Sequence, residues 1–175
     1  LGPIICSLFV KVSTIDFPSF LKSFVIPSGL IYIVLDWIFD NLIWKVSFIG
    51  KALAIPNFSG CWLVSGQTIN EEGQAKYEWK AKVVIVQKWD SISIQLKTEK
   101  SESYSYTASS FKLPDGKWQL SYSYGNQPSL EQLKELQAHR GFCELIFDLN
   151  TGVAEGTYFN SMGRRTNGNM SLVKQ

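Results

Sequence analysis

Two regimes of hydrophobic patterning divide the chain near residue 57. Upstream, Phe24 to Trp44 reads FVIPSGLIYIVLDWIFDNLIW, an almost unbroken apolar run of about the 20 residues that a membrane-spanning helix requires. Downstream, apolar and polar residues alternate with a period of two, the mark of half-buried strands. YEWKAKVVIVQK is the clearest case: Tyr77, Trp79, Ala81, Val83 and Ile85 share one face, and Glu78, Lys80, Lys82 and Lys88 the other. Similar runs cover 57–69, 77–88, 91–98, 103–112, 117–126, 141–149, 153–160 and 164–173. Eight short strands in succession predict an all-β fold, an eight-stranded up-and-down antiparallel barrel of the calycin type, because closure removes exposed edges. Lysines on the outer face argue against an outer-membrane barrel, which presents an apolar band there. The expected organisation is a membrane-anchoring segment over 1–56, with N-terminal membrane helix or helices, and a ligand-binding barrel over 57–175.

Asp36 and Asp40 interrupt the apolar run, and a carboxylate at mid-bilayer costs at least ~2.5 kcal/mol. They lie one helical turn apart on one face. In one reading they belong to the interfacial end of the span, with Trp37 and Trp44 at headgroup depth and Lys45 and Lys51 beyond. In another they line a helix–helix contact or pore formed on assembly; in a third the segment is a buried helix of a soluble protein. LGPIICSLFV at the start is apolar but too short to span. Lys11 and Lys22 on one side balance Lys45 and Lys51 on the other, so the positive-inside rule does not orient the segment. No small-residue cleavage pattern follows the apolar run, which disfavours a signal peptide.

Loop lengths distinguish the two ends of the expected barrel. Connections at the end nearer the apolar segment are the short turns WDS, PDG and NTG. Those at the other end, the distal mouth, are NEEGQA, EKSE, the long stretch from Gln127 to Arg140, and SMG. Within the long stretch, Ser129 and Gln132 have capping-box spacing, and Leu130, Leu133 and Leu136 line one side of a short helix. Longer loops at one mouth are where a ligand enters a barrel.

Taking the apolar phase of each strand as inward places Tyr77, Trp79, Tyr104, Tyr106, Tyr122, Tyr124 and Tyr158 around the distal rim, above a floor that includes Val83, Ile85, Leu145, Phe147, Met170 and Leu172. Aromatics can simply fill the taper of a small barrel. Buried tyrosine hydroxyls need partners, however, and aromatic faces stack on nucleobases at ~1–3 kcal/mol per base. On the last strand the same phase puts Arg164, Thr166 and Gly168 inward and Arg165 outward. Arg164 is therefore the candidate phosphate contact, since a guanidinium offers a planar fork that lysine lacks. Arg140 joins it at the distal mouth, as does His139, the single histidine, which is read as a surface or capping residue. A competing role for Arg164, stacking on the tryptophan of the G-x-W motif Gly60 to Trp62, is disfavoured because antiparallel pairing should set Trp62 beside Met170.

Composition narrows the function class. The chain has 175 residues, 45% hydrophobic and 18% charged, enough for one core plus an appendage. A net charge of +2 with scattered lysines argues against an extended nucleic-acid partner, which needs a basic face. Three cysteines without CxxC spacing support neither a disulfide framework nor a zinc site. No carboxylate pair, nucleophile with base or metal-ligand cluster survives the strand phasing, so a binding module is expected rather than an enzyme.

The join LDWIFDNLIWKVSFIGKALAIPNFSGCW (Leu35 to Trp62) and the stretch HRGFCELIFDLNTGVAEGTYFNSMGRRTNGNM (His139 to Met170) resemble the membrane-anchored β-barrel effectors of bacterial cyclic-oligonucleotide antiphage signalling, a two-transmembrane, β-strand-rich family. The resemblance implies a cytosolic barrel anchored at the inner membrane, needing no cofactor. It also implies a cyclic dinucleotide ligand supplied by a partner nucleotidyltransferase. Binding would promote self-oligomerisation and membrane disruption that kills or arrests the infected cell. From the residues alone two other readings stand beside it: a lipocalin-like barrel for a lipid or other hydrophobic ligand, motivated by the G-x-W motif and apolar floor, and a structural adaptor with a filled barrel.

Overall fold

The computed structural model describes residues 28–70, 73–132, 137–161 and 166–175. The chain divides into two units, Leu1–Leu53 and Ala54–Gln175.

In the first unit, α1 (Ser28–Asn41) is followed by a 3-10 turn (Ile43–Lys45) and a short helix α2 (Ser47–Ala52). The apolar run does not continue as one helix to Trp44. At about 1.5 Å per residue, the 14 residues of α1 reach about 21 Å, and no helix of the described residues is long and apolar enough to cross a membrane. Side-chain donors account for the stop: Asn41 Nδ2 donates to the Trp37 carbonyl at 2.8 Å, and Trp44 Nε1 to the Asp40 carbonyl at 2.7 Å. These bonds occupy carbonyls that a continuing helix would use. Val46 then adopts an extended conformation, φ −64° and ψ 125°, before α2. Leu30, Tyr32, Ile33, Val34, Leu35 and Trp37 are all exposed on α1, so its apolar surface runs around the helix. Residues 24–27 of the expected span lie outside the described residues.

The second unit is a closed barrel of eight antiparallel strands in sequence order: β1 (Gly60–Ile69), β2 (Ala75–Gln87), β3 (Ile92–Lys97), β4 (Ser101–Lys112), β5 (Trp118–Pro128), β6 (His139–Asp148), β7 (Val153–Ser161) and β8 (Asn167–Lys174). Strand β8 pairs with β1 and closes the ring. The long β5–β6 connection contains a 3-10 turn at Leu130–Gln132, while 133–136 of the expected helix lie outside the described residues. The Ser129 amide donates to the Lys100 carbonyl at 3.0 Å, tying this connection to the β3–β4 turn at the distal mouth.

The proximal end is filled. Phe58, Trp62, Leu120, Leu145, Phe147 and Leu172 are fully buried, each stabilising the fold by about 1.5–3 kcal/mol through burial. Phe147 packs against Phe58 with ring centroids 4.8 Å apart and edge-on against Trp62 at 5.0 Å. Buried Gln87 ties the segment before β1 to this floor. Its Oε1 accepts from the Phe58 amide at 2.9 Å, and its Nε2 donates to the Pro56 carbonyl at 2.8 Å. The Trp62 indole donates to the Phe58 carbonyl at 3.0 Å. The register between the first and last strands differs from the expectation by four residues. Trp62 is opposite Lys174, whereas Met170 is opposite Gly66. Lys174 Nζ lies 5.4 Å from the Trp62 ring centroid, so a late cation does cover this tryptophan, and it is a lysine.

Candidate functional site

The strands' inward positions become more polar toward the distal mouth, and there the core gives way to a cavity of about 570 Å³. That lies within the usual range for small-molecule sites, roughly 300–1,000 Å³. Ile94, Leu96 and Met170 form its apolar base, Tyr122, Tyr124, Trp79 and Tyr158 its aromatic wall, and Ser103, Asn126, Asn160 and His139 its polar positions. Thr98, Glu99 and Lys100 of the β3–β4 turn rim the opening, with Tyr77, Glu78 and Lys80 from β2.

Hydrogen bonds fix the wall. Tyr158 OH pairs with Thr68 Oγ1 at 2.7 Å and accepts from Trp79 Nε1 at 3.2 Å. The rings of Trp79 and Tyr158 meet edge to face, 5.7 Å apart. Tyr124 OH donates to Asn160 Oδ1 at 2.7 Å, and Asn160 Nδ2 donates to Thr166 Oγ1 at 2.8 Å. Ser103 Oγ donates to Asn126 Oδ1 at 2.8 Å. Tyr122 sits lower, beside Cys143, and burial raises both groups' pKa, the Cys143 thiol to about 12 and the Tyr122 phenol well above its ordinary value. Both are therefore neutral packing groups at physiological pH.

Trp79, Tyr122, Tyr124 and Tyr158 thus line one cavity, with Tyr77 half exposed at its rim. Thr166 reaches this network through Asn160. Arg164 and Arg165 lie outside the described residues. Tyr104 and Tyr106 are on the outside of the barrel, a reversal of the expected phase. On β4 the serines turn inward: Ser103 is buried against Asn126, and Ser105 Oγ accepts from the Ile94 amide at 2.9 Å. Tyr104 instead joins an outer cluster, donating to Glu102 Oε2 at 2.7 Å and accepting from Gln95 Nε2 at 3.1 Å. Tyr106 falls at an irregularity between Ser105 and Thr107, beyond which Ala108 takes the inward phase. Its exposed ring lies on the outer wall with Arg140, whose guanidinium carbon is 5.7 Å from the ring centroid. Arg140 is therefore on the outer face too. Gly141 and Cys143 hold the inward phase of β6, so the alternation at 140 already points outward.

Ser103, Asn126, Asn160 and Thr68 are the site residues that apolar phasing overlooked. Ser101, Ser103 and Ser105 form an uncharged row opposite the row containing Glu102, and that contrast was the available signal. Asp36 is exposed and Asp40 partly buried on α1, in the other unit. Among the described residues no cluster of His, Cys, Asp or Glu could hold a metal ion.

The sequence model of the family described as "Cap15, cyclic dinucleotide receptor domain" matches residues 53–174. The chain is also 42% identical over 149 residues to CD-NTase-associated protein 15 of Yersinia aleksiciae, an alignment covering 85% of this chain and 70% of that protein. The family match spans every strand of the barrel, cavity included, and with the extent of the relative it establishes that the chain belongs to the Cap15 family of cyclic dinucleotide receptor domains.

Proposed function

We propose that this protein is a receptor of bacterial antiphage defence whose barrel binds a cyclic dinucleotide in the distal cavity. The observation that carries the reading is the cavity itself: aromatic faces and fixed polar groups open at one end of a barrel of this family. Tyr122, Tyr124 and Trp79 supply surfaces for bases. Arg164, two residues before Thr166 in the alternating sequence of the last strand, is proposed as the phosphate contact, and Arg165 as a solvent-facing neighbour. The relative's description as CD-NTase-associated supports a partner nucleotidyltransferase as the source of the ligand. The role is that of a receptor, with no chemical step on the ligand and no cofactor.

Binding is proposed to drive self-oligomerisation of an inner-membrane protein whose barrel lies in the cytosol, and so to disrupt that membrane. The apolar circumference of α1 supports a surrounding of lipid or of other helices. Asp36 and Asp40 on that helix are proposed to act in assembly. The experiment is dye release from liposomes carrying the full chain, with and without a cyclic dinucleotide. Ligand-dependent release that Asp36→Asn alters, with ligand affinity unchanged, is expected. Release that is independent of ligand would overturn the link between sensing and disruption.

A further inference from the structure

Several donors and acceptors of the cavity wall are spent on one another. Tyr124 gives its hydroxyl proton to Asn160, Asn160 gives an amide proton to Thr166, and the Trp79 indole donates to Tyr158. Asn126 is different. It is only 7% exposed and lines the cavity. Its Oδ1 accepts from Ser103 at 2.8 Å, yet its Nδ2 has no partner among the described residues. In the structure Oδ1 takes the Ser103 proton, and Nδ2 is the amide atom left for the cavity. That nitrogen opens to the cavity, where a bound acceptor can meet it.

We propose that Asn126 is a specificity-determining residue that donates to a carbonyl oxygen on a base of the bound cyclic dinucleotide, and that Ser103 is the positioning residue that holds its amide. This rests on the receptor reading above. The favoured bases are those with a carbonyl oxygen, guanine, uracil or cytosine, over adenine, which has none. Adenine is read by a bidentate amide that also accepts through Oδ1, and here the Ser103 bond holds that oxygen toward β4 and occupies one of its two lone pairs. Tyr124, two residues away on the same inward face, offers a ring on which the base can stack while Asn126 meets its edge. The neutral amide suits a base edge, whereas a phosphate would call for charge.

The test is calorimetric titration of the full chain and of Asn126→Asp and Ser103→Ala with cyclic di-AMP, cyclic di-GMP and cyclic UMP–AMP, with melting curves to verify folding. The wild type should bind a keto-bearing ligand at least tenfold more tightly than cyclic di-AMP. Asn126→Asp, which replaces donors by acceptors, should lose at least tenfold for the keto-bearing ligand. Ser103→Ala should still bind but with a narrowed preference, because the amide is freed to turn over. Equal affinity of wild type and Asn126→Asp, or a wild-type preference for cyclic di-AMP, would overturn the inference while leaving the receptor reading intact. A wild type that binds none of these and no other member of a wider cyclic dinucleotide panel would instead overturn the receptor reading itself.

Discussion

Tyr158 on β7 and Thr68 on β1 meet through a 2.7 Å hydroxyl–hydroxyl hydrogen bond in the cavity wall, across the intervening β8. The same Tyr158 oxygen accepts from Trp79 on β2, so one phenol joins three strands around the point of closure. Thr68 is fully buried, and without this phenol its hydroxyl would lack a side-chain partner. Tyr158→Phe should therefore cost about 1–3 kcal/mol, measured by urea denaturation. Thr68→Val added to it should cost less than the sum of the single changes, because both partners of one bond are then gone. Full additivity would show that the pair does not act together.

Gly66 makes room for the aromatic wall. A Cβ there would come within 2.2 Å of the Trp79 indole ring. Gly66→Ala should thus displace Trp79 from the cavity and weaken ligand binding by tenfold or more, with a melting temperature lowered by only a few degrees. A melting curve followed by tryptophan emission and a calorimetric titration report the two effects. Unchanged affinity would separate Trp79 from recognition.

The outward placement of Tyr104 and Tyr106 makes a contrast. Tyr104→Ala and Tyr106→Ala should leave cyclic dinucleotide affinity within a few-fold, whereas Tyr124→Ala, which removes both a ring and the donor to Asn160, should lose at least tenfold. Comparable losses at all three positions would contradict the phase seen in β4.

That reversal shows what was legible in the sequence and what was not. The period-two runs marked all eight strands, because burial of one face imposes alternation whatever the tertiary detail, and loop lengths marked the distal mouth. Trp79, Tyr122, Tyr124 and Tyr158 followed from the same alternation. Strand β4 misled because its tyrosines look like core residues, yet space reserved for a ligand favours small inward side chains, and the irregularity at Tyr106 then shifts the phase. Asn126 and Ser103 were invisible to a search for apolar or charged residues: their importance comes from a bond between strands. The end of α1 was likewise hidden in an apolar run, since it depends on where the Asn41 and Trp44 donors point.

Cys143 gives a pH prediction. Burial raises its thiol from an ordinary 9.0 to about 12 in the folded protein. The unfolded chain then loses its proton first, so the stability contribution is complete below pH 9 and is lost as pH rises from 9 toward 12. Urea midpoints of Cys143→Ala should fall less steeply with pH than those of the wild type over that window. Parallel slopes would place the thiol in a more hydrated setting.

The most direct test of the central claim is calorimetry of the full chain against a panel of cyclic dinucleotides and fatty acids. A receptor of the kind proposed binds one or more cyclic dinucleotides tightly, at one site per barrel, and loses that binding in Tyr124→Ala. Tight binding of a fatty acid, with none of any cyclic dinucleotide, would contradict it.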